Sequence, residues 1–127
     1  MGYQNLDLDQ SAKYNMIVAK DRTLNTIITA EYNDPVSGVT PFDFATYTGA
    51  TLQVKSKPES STIILEFNMD DSSIELFQDG KFKLFKEAID MNVRAGDYYY
   101  DMYLSSEIYP KRAFLSGSFK ITQNISD

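Results

Sequence analysis

Four tyrosines fall within six positions of the stretch VRAGDYYYDMYL, at Tyr98, Tyr99, Tyr100 and Tyr103, in a chain with no histidine, cysteine or tryptophan. Chemistry in such a chain must come from carboxylates, lysines, serines or phenols. The commonest general base and metal-ligating side chain is missing, and so is the thiolate nucleophile. Ser116-Gly117-Ser118 has no histidine to activate it and sits in a strand pattern, so it is not a nucleophile elbow. Asp70 and Asp71, with Glu66, form the best acidic cluster, and oxygen ligands on a loop suit Ca²⁺. MDDSS lacks the spaced acidic pattern of a calcium loop, which favours a solvated turn that caps a strand. Lys55, Lys57, Lys81, Lys83 and Lys86 alternate along strand faces as solvated charges that discourage edge pairing. A glycosidase carboxylate pair would need a cleft with aromatic walls, and the sequence carries no pattern for one. These residues predict a non-enzyme without a metal or a cofactor.

The tyrosines remain. By the period-two rule Tyr98, Tyr100, Met102 and Leu104 share one face of a strand, and Tyr99, Asp101, Tyr103 and Ser105 share the other. The first set reads as core. Tyr98 follows Gly96 by two residues, in a context like the tyrosine corner of immunoglobulin-like sandwiches, where a tyrosine hydroxyl bonds backbone at a strand entry. The outer aromatics, Tyr99, Tyr103 and Phe114, are candidates for a protein interface, because tyrosine is enriched in such surfaces. The competing explanation is that the amino-terminal segment or a short helix covers this face. A sugar-stacking platform ranks lower without tryptophan.

The elements that must position these residues are nearly all strands. A chain of 127 residues is a common single-domain size, and a hydrophobic content of 43% with 24% charged residues indicates a folded, water-soluble domain. No window approaches the roughly 20 apolar residues of a membrane-spanning helix. A net charge of −6, with basic residues scattered along the chain, argues against nucleic acid as a partner. MGYQNLDLDQ has no basic region followed by an apolar one, so no secretory signal is expected and synthesis is in the cytoplasm. Residues 1–13 read as an amino-terminal arm and 14–127 as one domain.

Period-two alternation marks strands at 14–20, 25–32, 50–55, 62–67, 73–77, 81–85, 97–104 and 112–121, with turn-rich pieces between them, including 33–41. The one helical signal, FKEAIDMN, is about two turns long. The pattern predicts an all-β, immunoglobulin-like antiparallel sandwich of about seven or eight strands with one short helix. Keeping apolar residues on one face fixes two hairpins. A loop of Gln78-Asp79-Gly80 pairs Leu76 with Phe82, Ile74 with Leu84 and Glu75 with Lys83, with Gly80 left-handed. A loop of Glu107-Ile108-Tyr109-Pro110 pairs Met102 with Leu115, Tyr100 with Gly117 and Tyr98 with Phe119, and on the other face Asp97 with Lys120 and Tyr103 with Phe114. Tyr100 would fill the space over Gly117.

The succession PFDFATYTGATLQVK, GKFKLFKEAIDMNVRAGDYYYDMYL and RAFLSGSFKITQNIS resembles a module of tailed-phage and prophage structural proteins, similar to the amino-terminal sandwich of phage upper-baseplate proteins. Asp43, Phe44, Tyr47, Thr48, Ala50, Gln53, Val54 and Lys55 match its first element. Gly96, Tyr98, Tyr100, Asp101 and Met102 match the second, and Leu115, Gly117, Phe119, Ile121, Ile125 and Ser126 the third. Thr46 stands where the family usually has glycine, with Gly49 three positions on. Family members that bind a receptor continue into a coiled-coil stalk and a distal domain, and this sequence stops at Asp127. The resemblance thus implies a platform or adaptor role in a virion, with other virion or assembly proteins as partners and a possible homo-oligomer. The alternative is a small bacterial carbohydrate- or protein-binding module.

Overall fold

The computed structural model describes residues 12–34, 36, 38–45, 47–108 and 110–123. The chain runs through β1 (Ala12–Lys13), β2 (Met16–Ala19), β3 (Leu24–Thr29), β4 (Glu31–Asp34), β5 (Gly38–Pro41), β6 (Gly49–Lys55), β7 (Leu65–Asn68), β8 (Ile74–Leu76) and β9 (Lys81–Lys86). A 3₁₀ turn (Ala88–Met91) then leads to β10 (Gly96–Ser105) and β11 (Arg112–Thr122). One sheet has the order β3-β9-β8; the other has the order β11-β10-β6-β7, with β1 and β2 both paired to β11. In a seven-strand immunoglobulin domain strands one, two, five and four form one sheet, and the last two pair with the third in the other. Among the described residues β3, β9 and β8 stand as strands two, five and four, and β11, β10 and β6 form the other sheet with β7 added beside β6, while the amino-terminal strands β1 and β2 pair with β11 rather than with β3.

The sequence pattern explains the layers. Alternation along β6 and β10 turns Leu52, Val54, Tyr100, Met102 and Leu104 inward, where they meet Phe82, Leu84 and Ile74 of the opposite sheet in one core. Phe67 and Phe119 close the middle of that core with ring centroids 6.4 Å apart. Both expected hairpins form. β8 and β9 pair Ile74 with Leu84, Glu75 with Lys83 and Leu76 with Phe82. Gly80 has φ 74°, and the Ala30 carbonyl lies where a β-carbon would stand. β10 and β11 pair Tyr98 with Phe119, Tyr100 with Gly117 and Met102 with Leu115.

The second register then slips by one residue between Met102 and Tyr103, so that Tyr103 faces Ala113 rather than Phe114. The extra residue of this β-bulge is Phe114, and its ring turns into the core. Alternation alone carries no mark of such an insertion, which is why the expected Tyr103–Phe114 pair fails.

Other differences are local. The sandwich is not wholly antiparallel, because β1 and β2 run parallel to β11. Ala12 and Lys13, assigned to the arm, already form β1, while residues 1–11 lie outside the described ones. The turn-rich piece at 33–41 contributes to a two-stranded ribbon of β4 and β5, and the expected strand at 25–32 divides at Ala30. The helical signal shrinks to the 3₁₀ turn, because KFKLFK extends β9 to Lys86 and leaves too few residues for α-helical turns.

Candidate functional site

The tyrosines of β10 are held in two rows. On the inner row Tyr100 is 2% exposed, and its hydroxyl donates to the Tyr14 carbonyl at 2.7 Å. Burial drives the Tyr100 phenol well above its usual pKa, with Tyr14 and Asp101 adding to the effect, so it stays a neutral donor. The Tyr14 carbonyl lies over Gly117, and Asn15 Oδ1, 2.9 Å from where a Gly117 β-carbon would be, accepts the Ser118 amide at 3.0 Å. The space over Gly117 is therefore taken by the incoming backbone between β1 and β2, and Tyr100 reaches into it with its hydroxyl. Any side chain at 117 would collide with backbone.

At the start of β10, the half-buried Tyr98 ring covers Gly96, where a β-carbon would stand 3.8 Å from the ring, and its hydroxyl donates to the Arg94 carbonyl four residues upstream. That bond closes the crossover from the 3₁₀ turn onto β10 and fixes where the tyrosine run enters the sheet.

On the outer row Tyr99 faces solvent, whereas Tyr103 is half-buried. Tyr99 is 44% exposed and stands between Lys55 of β6 and Ser118 of β11. Tyr103 lies between Thr51 and Ala113, with the Lys111 ammonium 4.3 Å from its ring centroid. Between the two tyrosines a polar row crosses the sheet through Lys13, Ser116, Asp101, Gln53 and Glu66. Lys13 Nζ donates to Ser116 Oγ at 3.1 Å, and Gln53 Nε2 donates to Glu66 Oε2 at 3.5 Å. Two amphipathic aromatics thus flank a polar stripe on a surface of paired strands. Lys111 and Lys13 were not singled out in the sequence, because one lies at a loop end and the other in the arm.

Phe114 does not belong to this surface. It is buried, with ring centroids 4.8 Å from Phe42 and 5.5 Å from Phe44. Among the described residues, β1, β2 and the 3₁₀ turn leave Tyr99 exposed, and the rest of the amino-terminal segment expected as a cover, residues 1–11, lies outside them.

The remaining candidates resolve into structure. Asp71 accepts the Ser73 hydroxyl and its amide, the latter at 2.9 Å, and these bonds lower its pKa. Asn68 Oδ1 accepts the Asp71 amide at 3.0 Å, so the acidic turn is a hydrogen-bonded link from β7 to β8. Glu66 instead faces Gln53. Among the described residues no group of three or more Asp or Glu could hold a metal ion. Ser116 and Ser118 anchor the amino-terminal strands. Lys83 and Lys86 are partly buried, with Lys83 Nζ 3.9 Å from Glu75 and Lys86 Nζ 5.1 Å from the Phe67 ring centroid. Lys57 and Lys81 are exposed, as solvated charges would be.

One open groove of about 680 Å³ is lined by Phe42, Tyr47, Met69 and Phe77 together with Asp43 and Asp79. Asp43 Oδ1 already accepts the Ala45 amide at 2.9 Å, and the Tyr47 hydroxyl accepts from Arg112 Nη1 at 3.0 Å. No helix among the described residues is long and apolar enough to cross a membrane. No protein-family model matches the chain, and no curated protein matches its sequence.

Proposed function

We propose that this protein is a non-enzymatic assembly module that docks onto other protein chains through the outer face of the β11-β10-β6-β7 sheet. The observation that carries this reading is the outward placement of Tyr99 and Tyr103 on β10, the central paired strand, beside a stripe of side chains able to donate and accept hydrogen bonds. Aromatics that hold apolar area and a polar tip at a rigid surface suit interface anchors, since a few such residues usually carry most of an interface's energy. The resemblance of residues 14–126 to the sandwich of phage upper-baseplate proteins supports a virion or prophage structural role, as a baseplate, tail or fibre adaptor. Its localisation would then be the virion.

Replacing both Tyr99 and Tyr103 with Ser tests the docking face. The double variant should stay folded and melt within roughly 2 kcal/mol of wild type, since Tyr99 is exposed and Tyr103 only half-buried, and should lose incorporation into particles. Normal assembly by a folded variant would remove this face as the docking site. A second reading, a small carbohydrate-binding module, is favoured by the groove beside Phe42 and Phe77, where rings and the Asp79 carboxylate could meet a sugar. Calorimetric titration with oligosaccharides addresses it, and a Phe77→Ser variant that binds as wild type does would exclude the groove.

A further inference from the structure

The groove beside Phe42 and Phe77 is built by one close approach of backbone to backbone. The Gly80 carbonyl accepts the Ala30 amide at 2.7 Å, and the Ala30 carbonyl accepts the Phe42 amide at 2.9 Å, so the turn between β8 and β9 is tied to the segment that follows β5. Glycine permits this contact, because a β-carbon at position 80 would stand 2.9 Å from the Phe42 nitrogen and closer still to the Ala30 oxygen. Asp79 precedes Gly80 and Asp43 follows Phe42, and the same contact brings both carboxylates into one groove. Backbone hydrogen bonds therefore hold its walls before any ligand arrives, and its volume of about 680 Å³ falls in the range of ligand-binding clefts.

The charges in this groove have one sign. Asp43 and Asp79 line it and no lysine or arginine does; Lys81, next to Gly80 in the sequence, stays outside it. Turn chemistry accounts for part of each aspartate. Asp43 Oδ1 accepts the Ala45 amide at 2.9 Å, and Asp79 has φ 62°, a left-handed backbone that Asp and Asn adopt more readily than most residues. Asparagine would meet both needs, so neither turn explains the negative charge. Asp79 is exposed, and its carboxylate makes no hydrogen bond or ion pair among the described residues. Phe42, Tyr47 and Phe77 add aromatic rings, whose faces attract cations. Phe42 is fixed by Phe44 and Phe114, with centroids 5.0 and 4.8 Å away, whereas Phe77 packs on no other ring among the described residues. One cation stands behind the wall: Arg112 Nη1 donates to the Tyr47 hydroxyl at 3.0 Å, so a bound positive charge belongs nearer Asp79 than Tyr47.

Acceptor-only carboxylates beside aromatic rings select a flat organic cation. A guanidinium stacks on rings and forks onto carboxylates, while an ammonium offers a point charge and a neutral sugar gains nothing from the two charges. The net charge of −6 adds a field that draws basic segments toward the molecule. We propose that the groove between Phe42 and Phe77 binds an arginine side chain presented by a partner protein, with the guanidinium on Asp79 and Asp43 and its methylenes along the rings. This goes beyond the assembly reading, because it names the chemistry of a partner at a second surface and makes no use of the tyrosine face.

Amide chemical shifts of the full chain, titrated with the capped tripeptide acetyl-Gly-Arg-Gly-amide, test it. Residues 42–45 and 77–80 should shift and saturate with a Kd of roughly millimolar, as suits one anchored side chain. The same peptide with glutamine in place of arginine should bind roughly tenfold more weakly or not at all. Asp43→Asn/Asp79→Asn keeps the turn geometry and should also weaken binding roughly tenfold, while Asp90→Asn/Asp97→Asn, at exposed positions outside the groove, should bind as wild type does. Should the first double variant fail to fold, Asp79→Asn alone decides, with an expected loss of about threefold. Shifts that never saturate, a glutamine peptide that binds equally well, or equal losses in the two double variants would overturn the proposal. So would an oligosaccharide that shifts these amides where the arginine peptide does not, since that result gives the groove to a sugar. Tyr99→Ser/Tyr103→Ser should bind the peptide unchanged, so the groove and the docking face fail separately.

Discussion

Tyr99 and Tyr100 are neighbours on β10, yet one is 44% exposed and the other 2%. The buried ring packs 6.2 Å from Phe119 between centroids, and its hydroxyl is committed to the Tyr14 carbonyl, tying the amino-terminal strand to the centre of the sheet. The exposed ring commits no hydroxyl hydrogen bond to the described fold and stands in a row of polar neighbours. Tyr98 lies between these extremes, half-buried with its hydroxyl on Arg94. What separates the tyrosines is whether a backbone carbonyl of the fold receives the phenol. Tyrosines whose hydroxyls the fold consumes hold the sandwich together, and those left over are available to a partner.

The comparison can be broken most severely from inside. Tyr100→Ala and Phe114→Ala should each destabilise by about 3–5 kcal/mol in denaturant melts, because each removes a buried ring. A cost for Phe114→Ala below about 1 kcal/mol, the level of a surface change, would return that residue to the outer face and remove the bulge. Hydroxyl deletion sharpens the contrast on a finer scale. Tyr100→Phe should cost about 1–2 kcal/mol, since it leaves a part-buried carbonyl without its donor, and Tyr98→Phe about 0.5–1 kcal/mol at its more open site. Equal losses at both positions would contradict the ranking.

The smallest expected effect lies in the turn between β7 and β8. The pKa of Asp71 is lowered in the fold, so its contribution to stability is present above the unfolded value of roughly 3.9 and is lost as pH falls through the folded value. Asp71→Asn should therefore be slightly less stable than wild type at neutral pH, and the two stability curves should converge in acid. Curves that stay parallel would show that the Ser73 bonds do not favour the carboxylate.

The alternation of DYYYDMYL made the two rows of β10 legible, and Asp79-Gly80 together with the apolar pattern made the β8–β9 register legible. The bulge was not, because its one trace, the adjacent apolar Phe114 and Leu115, reads equally well as a regular strand with one ring on its outer face. The approach of Tyr14 to Gly117 left one trace, a glycine opposite a large inward tyrosine, but its cause lies about 100 residues away along the chain, between β1 and β2. The β4–β5 ribbon hid in a segment whose Asn, Asp, Pro and Gly content marks turns equally well. On the outer face, Tyr99 and Tyr103 could be named from periodicity, whereas the Lys111 ammonium over Tyr103 depends on the path of the hairpin loop.

Hydroxyl-radical footprinting of the tyrosines in the monomeric and assembled states tests the central claim most directly. Tyr99 and Tyr103 should be reactive in the monomer and lose most of that reactivity on assembly. Tyr100 should be unreactive in both states, and the partly exposed Tyr98 should change little. Tyr99 and Tyr103 that remain as reactive in the assembled state as in the monomer would show that the outer row of β10 is not where this protein meets its partner.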